Sequence, residues 1–364
     1  MQQNERYIRQ LILPGFGKEA QDKLQNAKVL VVGIGGLGCP ALQYLVGVGV
    51  GKIGIIDADT ISLSNLPRQL LFTDTEIGQK KVTVAEWKMK DLNEHVVIES
   101  YPFDLVKENA LDLINQYDLV IDATDNFSVK YLINDACVLL NKPWIYGAVS
   151  GYEGQVSVFN VSKIENPAIH YRDLFPIAPL PGEIKTCEET GVLGVLPGMI
   201  GTMQATEAIK LITGIGKPCY GRLLNYRLLD AWFFEIELTK RLDAAPITKS
   251  FFDSMNYGGN GCEPTYEVDE ITVFTFNELR KDPNVFVLDV RERHEYPPID
   301  FSDAQIPMSE LHESIKNLPE KHICIICHQG IRSVYAASLI RAQRNLKVVS
   351  LRGGLIAYFK SVPV

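Results

Sequence analysis

Residues 28–38 read Lys28-Val29-Leu30-Val31-Val32-Gly33-Ile34-Gly35-Gly36-Leu37-Gly38, and this stretch decides the fold. A short unbroken apolar run suits a parallel strand covered on both faces. The glycine turn behind it opens a helical stretch from Cys39 to about Gly47. Such a turn lets backbone N–H groups approach a phosphate at the positive end of a helix dipole. Gly33, Gly35 and Gly38 also fit the G-x-G-x-x-G spacing of dinucleotide sites, with Asp57 placed to hold a ribose. By itself the turn fits an NAD enzyme, a nucleoside-triphosphate enzyme or a purely structural bend.

Outward from that turn, Lys52–Asp57, Val96–Ser100, Tyr117–Asp122 and Pro143–Ala148 read as further strands, with helical stretches such as Gly78–Asn93 between them. The alternation predicts an α/β, doubly wound Rossmann-like sheet up to about residue 150. Gly151–Asn160 then alternates apolar and polar residues, as an antiparallel strand or hairpin does. Residues 161–190 are proline-rich and aperiodic and read as a long crossing loop. Leu196–Thr213 reads as a helix and Arg222–Leu238 as strands of an antiparallel extension. Glycines and prolines punctuate residues 243–268, which read as a linker between a domain over 1–242 and a smaller α/β domain over 269–364. Three buried strands are expected in the second: Val285–Val290, His322–Ile326 and Lys347–Leu351.

Composition narrows the function. With 364 residues, 46% hydrophobic and 22% charged, the chain is globular rather than disordered. A net charge of −8 argues against a general binder of nucleic acid or acidic membranes. Seven cysteines are too few and too odd in number for a disulfide framework, which points to a reducing compartment. The most apolar stretch, Ala41–Ile56, is interrupted by glycines and Lys52 and is too short to span a bilayer. A soluble cytoplasmic protein is expected.

A second group of residues separates the nucleotide readings. Asp57-Ala58-Asp59, Ser64-Asn65-Leu66-Pro67-Arg68-Gln69, Gly78-Gln79-Lys80-Lys81 and Asp122-Ala123-Thr124-Asp125-Asn126 follow in order. An NAD site needs no such gathering of Asn, Arg and Lys. An enzyme acting on a triphosphate needs donors for phosphate charge and a carboxylate for magnesium. Together with Glu5-Arg6-Tyr7-Ile8-Arg9-Gln10, these motifs resemble the MoeB/ThiF class of ubiquitin-activating-type adenylyltransferases over residues 5–242.

The resemblance implies a chemistry. MgATP would adenylate the C-terminal glycine of a ubiquitin-fold sulfur carrier of the MoaD/ThiS kind, ending in Gly-Gly, and release pyrophosphate. It implies a nucleotide site made of Gly33, Gly35, Gly36, Gly38, Asp57, Asp59, Asn65, Arg68, Gln69, Lys81, Asp125 and Asn126, with Asp125 binding Mg2+. Lys80 reads as a solvated neighbour. Arg9 would reach into a partner subunit's site, which implies a homodimer. Cys187, on the crossing loop, matches a cysteine that forms a covalent sulfur linkage with the carrier. Many relatives carry two C-x-x-C pairs that hold zinc; here the first position reads His170-Tyr171-Arg172-Asp173 and the second, near Ala244–Thr248, has no cysteine. No zinc is expected.

In the second domain, Cys327-His328-Gln329-Gly330-Ile331-Arg332-Ser333 lies between an apolar strand and a helix. Backbone N–H groups and a helix N-terminus there favour a thiolate and would equally favour a persulfide anion. With Val287-Leu288-Asp289-Val290-Arg291-Glu292 and Leu351-Arg352-Gly353-Gly354-Leu355, this segment resembles a rhodanese over residues 269–361. The six-residue loop from Cys327 to Arg332 matches the sulfurtransferase form, which implies catalytic roles for both residues and a cysteine-desulfurase-like persulfide donor. Cys324 reads as core, and Asp289 and Arg291 as braces. An NAD-dependent oxidoreductase and a non-catalytic scaffold with a partner-binding rhodanese domain are the competing readings.

Overall fold

A computed structural model describes residues 5–162, 168–176, 190–241, 246–255, 257, 268–293 and 295–361. The chain divides into two compact units after residue 258. Among the described residues no helix is long and apolar enough to cross a membrane.

In the first unit β1 (Lys28–Val32) is central, and every side chain after Lys28 is buried. Val29 and Val31 enter one apolar layer and Leu30 and Val32 the other, so the unbroken apolar run serves two cores. β1 pairs in parallel with β2 (Lys52–Ile56) and β4 (Leu119–Asp122). β3 (Val97–Tyr101) adds beyond β2, and β5 (Trp144–Ser150) beyond β4. β6 (Glu153–Phe159), β7 (Arg222–Arg227) and β8 (Trp232–Glu237) complete the sheet antiparallel, in the order β3-β2-β1-β4-β5-β6-β7-β8. The doubly wound sheet with an antiparallel extension is thus the observed architecture. The expected hairpin uses β5 itself as its first arm, since Ser150 pairs with Glu153 across Gly151 and Tyr152.

Strand order reverses between β1 and β4, and open sheets of this kind bind ligands beyond the strand ends at that reversal. Val32 is in register with both Ile56 and Asp122, so the glycine turn, Asp57 and Ala123 follow three adjacent strand ends. The helices Gly38–Val48, Lys81–Leu92 and Val195–Thr213 contribute to one core layer. Lys107–Asn115 and Phe127–Leu140 contribute to the other, beside a cluster of Trp144, Tyr146, Phe159 and Tyr171.

Part of the stretch read as a linker is built onto this unit. Lys249–Ser254 is helical, capped by Thr248, and Phe252 and Tyr257 are buried in the second layer. The Tyr257 hydroxyl donates to Asp135 Oδ2 at 2.6 Å, and Lys107 Nζ donates to the Met255 carbonyl at 2.8 Å. Glycine and proline dominated the reading of this stretch and masked the anchoring aromatics.

The second unit is a wholly parallel five-stranded sheet in the order β11-β10-β12-β13-β9. Its strands are β9 (Asp269–Ile271), β10 (Val285–Asp289), β11 (Ala304–Gln305), β12 (His322–Ile326) and β13 (Val348–Leu351). The three expected strands form its middle. The two additional ones are edge strands of three and two residues, too short and exposed to show a pattern.

Candidate functional site

In the first unit the crevice begins at Gly33, whose φ of +89° suits glycine and whose added Cβ would meet the Ala123 carbonyl at 2.9 Å. A Cβ on Gly38 would lie 2.0 Å from the Gly33 carbonyl oxygen, so only glycine lets the helix Gly38–Val48 start this close to β1. Asp57 accepts the Ile34 N–H on Oδ2 and the Asp59 N–H on Oδ1, each at 2.8 Å, which ties the glycine turn to the end of β2. Burial raises the Asp57 carboxyl above its ordinary range, opposed by nearby Lys81.

Lys81 opens its helix with a side chain only 5% exposed, and its ammonium lies 2.7 Å from Asp59 Oδ2. The Asn65 side chain accepts the Ser62 N–H at 3.2 Å and folds the Ser64–Gln69 loop. Arg68 Nη1 donates to the Ser64 carbonyl at 2.8 Å. Gln69 is buried, and its Oε1 has no hydrogen-bond partner. An orphaned buried acceptor beside the glycine turn fits a site that a polar ligand completes.

Asp125 is exposed on the loop after β4, while Asn126 Oδ1 accepts the Ser128 N–H at 2.8 Å and caps the helix Phe127–Leu140. Asn126, expected at the nucleotide, also serves as a helix cap. Lys130 braces the same loop. Its ammonium is 2.9 Å from Asp122 Oδ2, from the Thr124 carbonyl and from the Gly147 carbonyl, and the residue is 3% exposed. Gln204 adds a donor to the Asp122 carbonyl at 2.6 Å. Sequence reasoning missed both residues. The one signal was a lysine inside an otherwise apolar stretch, Val129-Lys130-Tyr131-Leu132-Ile133.

Arg9 is exposed on the short helix Ile8–Leu11, which is anchored by buried Tyr7 through the Asn93 amide at 2.9 Å. Cys187 lies outside the described residues. In the His170–Asp173 segment, where the expected first cysteine pair is missing, the Arg172 guanidinium pairs with Asp135 at 2.7–2.8 Å. Asp173 accepts from Lys240 Nζ at 2.9 Å and from the Arg241 N–H at 3.1 Å. Among the described residues no group of three or more His, Cys, Asp or Glu could hold a metal ion; Cys262 lies outside them.

The second unit has its own constellation. Cys327 follows β12, and its Sγ accepts the Gly330 N–H at 3.1 Å and the Ser333 N–H at 3.4 Å. Gly330 caps the helix Ile331–Gln343 with φ +91°, and an added Cβ there would meet the Gly353 nitrogen at 2.7 Å. This cradle can hold a sulfur anion. Arg332 does not stand free beside it, because its guanidinium grips both carboxylate oxygens of Glu295. Burial raises the Glu295 carboxyl, but the Arg332 hydrogen bonds and the Glu292 N–H outweigh that and hold it down at about 2. Arg291 and Asp289, each 1% exposed, pair with one another, and Arg291 also donates to the Pro297 carbonyl. Cys324 is fully buried in β12, and burial pushes its thiol up to about 12, so it is inert.

A family model described as the ThiF family matches residues 7–246. Over 242 residues the chain is 47% identical to a Thermus thermophilus protein named sulfur carrier protein adenylyltransferase, covering 65% of this chain and 88% of that one. Over 365 residues it is 37% identical to a Mycobacterium tuberculosis protein named probable adenylyltransferase/sulfurtransferase MoeZ, covering 98% and 93%. Among solved structures, E. coli MccB shares the fold with a TM-score of 0.56 at 20% identity, across 66% of this chain and 72% of that one.

Proposed function

Because the chain belongs to the ThiF family, we propose that its first unit adenylates the C-terminal glycine of a ubiquitin-fold sulfur carrier and its second, a rhodanese domain, supplies the sulfur. The chain is an adenylyltransferase and sulfurtransferase. It uses ATP and acts on a ubiquitin-like sulfur carrier. One observation carries the finer reading: the β1/β4 reversal gathers the glycine turn, Asp57, Gln69 and the Lys81–Asp59 pair at the strand ends, with Asp125 on the loop behind β4.

In this reading the glycine turn and Asp57 hold the nucleoside end, and Asn65, Arg68 and Lys81 neutralise phosphate charge. Lys81 would exchange exposed Asp59 for phosphate oxygens. A magnesium ion, held by Asp125, would add charge stabilisation at the phosphates. Arg9 would complete the site of a partner subunit, making the active species a homodimer. The carrier's carboxylate attacks the α-phosphorus, pyrophosphate leaves, and an acyl-adenylate results.

Sulfur then moves in two balanced steps. Cys327, charged to a persulfide by a protein donor of the cysteine-desulfurase kind, attacks the acyl carbon through its terminal sulfur, and AMP leaves. A small thiol then attacks Cys327 Sγ; the thiocarboxylate departs and a mixed disulfide remains on Cys327 for a second thiol to reopen. The Cys327 cradle suits both the thiolate and the persulfide anion. The test incubates the full chain with MgATP and candidate ubiquitin-fold proteins. It measures carrier-dependent ATP–pyrophosphate exchange and the mass of the carrier after a persulfide donor is added. NADH binding with no exchange for any carrier would overturn the reading.

A further inference from the structure

Behind Cys327 lie two buried hydroxyls for which the sulfur-transfer scheme has no use. Ser333, in the first turn of the helix Ile331–Gln343, has its Oγ 3.4 Å from Cys327 Sγ and donates to the Gly330 carbonyl at 3.0 Å. Ser350, in β13, donates to Ser333 Oγ at 2.8 Å. Both serines are 0% exposed. Ser350 is the one polar residue of a strand that otherwise reads Val348, Val349 and Leu351. A buried hydroxyl costs stability unless bonded, so a small apolar residue would be the simpler choice there.

A hydroxyl has one hydrogen and two lone pairs. The hydrogen of Ser350 goes to Ser333, filling one of its lone pairs. Ser333 then has one hydrogen to give, and two acceptors within reach: the Gly330 carbonyl and Cys327 Sγ. While Cys327 is a thiol, its S–H can fill the second lone pair of Ser333, whose own hydrogen stays on Gly330. When the thiol proton has left and the sulfur is an anion, the Ser333 hydrogen turns to it. A hydrogen bond to an ionised partner is about twice as strong as a neutral one.

We propose that Ser350 is a positioning residue for Cys327, acting through Ser333. By donating to Ser333 it leaves that hydroxyl only outward directions for its hydrogen and polarises it toward the anionic sulfur. The pair forms a two-position hydroxyl relay that follows the charge on Sγ. This deepens the reading of Cys327 as the sulfur-carrying nucleophile and rests on it.

The test uses the full-length chain and captures Cys327 with methyl methanethiosulfonate, a small reagent that forms a methyl disulfide and releases sulfinate. Intact mass reads the rate, with Cys327→Ala as the blank. Ser333→Ala should slow capture ~10-fold, the loss of one charge-assisted hydrogen bond. Ser350→Ala should slow it roughly threefold. The double variant should match Ser333→Ala alone, because Ser350 acts only through Ser333. Ser350→Thr and Ser350→Val have the same shape; the first should keep the wild-type rate and the second should be as slow as alanine. That pair decides the matter even where alanine fails to fold. Wild-type rates in Ser350→Val, or losses that multiply in the double variant, overturn the relay. Sulfur loading of Cys327 from a small persulfide is measured in parallel. If the wild type takes no sulfur while the capture rates keep their order, the sulfurtransferase reading falls and the relay stands.

Discussion

Lys81 and Asp59 meet at 2.7 Å with opposite exposures: the lysine side chain is 5% exposed and the aspartate 71%. The cation is fixed in the crevice wall, and its partner can leave for solvent when a competing anion arrives. Lys81→Ala and Asp125→Ala should each lower carrier-dependent ATP–pyrophosphate exchange by on the order of 10²–10³-fold with the fold intact, through lost stabilisation of phosphate charge. Asp59→Asn should cost less than about fivefold, because the aspartate is the exposed partner and gives way to phosphate during turnover. Near-normal exchange in Lys81→Ala would remove the nucleotide assignment.

Arg9 sits exposed on a helix whose neighbour Tyr7 is locked to Asn93. If it serves the partner's site, mixing inactive Arg9→Ala with inactive Asp125→Ala should restore part of the exchange activity. One site of each hybrid dimer then holds both residues. Proven subunit exchange without recovered activity would exclude a shared site.

The two half-reactions should separate. Cys327→Ala should adenylate the carrier at the wild-type rate yet yield no thiocarboxylate from a persulfide donor, because only the second step needs that sulfur. Cys187→Ala should also spare adenylation, and its loss of thiocarboxylate should be smaller than that of Cys327→Ala, because a persulfide on Cys327 can attack the acyl-adenylate directly. Mass spectrometry of the carrier reads both outcomes. Full thiocarboxylate formation by Cys327→Ala would take the second unit out of the scheme.

Glu295 gives the second unit a defined acid sensitivity. Its carboxyl lies at about 2 in the folded protein against an ordinary 4.5. A lowered carboxylate contributes stability that is complete above the ordinary value and lost as pH falls through the lowered one. The thermal midpoint of the wild type should therefore exceed that of Glu295→Gln at neutral pH, and the gap should close between about pH 4.5 and pH 2. A gap constant with pH would show that the Arg332 pair contributes nothing through its charge.

Much of this could be read from the chain alone, for physical reasons. β1 is covered on both faces, so its sequence is a continuous apolar run, and Gly33 and Gly38 after it are required by backbone contacts of 2.9 and 2.0 Å that no side chain could survive. Relations between distant residues were not legible. Glu295 and Arg332 are 37 positions apart, and nothing local marks either as the other's partner. Ser350 reaches Ser333 only because β13 lies beside β12. β9 and β11 are too short for any period to show. Phe252 and Tyr257 were hidden among turn-forming residues, although burying them is what carries the first unit beyond the expected boundary at 242.

Lys130, described above as a brace, also bears on collateral damage. A crevice that activates a carboxylate as a mixed anhydride, as proposed, makes an acylating agent within reach of its own amines. Each of the three Lys130 N–H bonds has an acceptor at 2.9 Å and the residue is 3% exposed, so its ammonium is turned inward, away from the anhydride. Lys81 is likewise held on Asp59 between turnovers. In the proposed reaction these hydrogen bonds would keep the crevice's own amines from the anhydride and leave the activated glycine for the incoming sulfur.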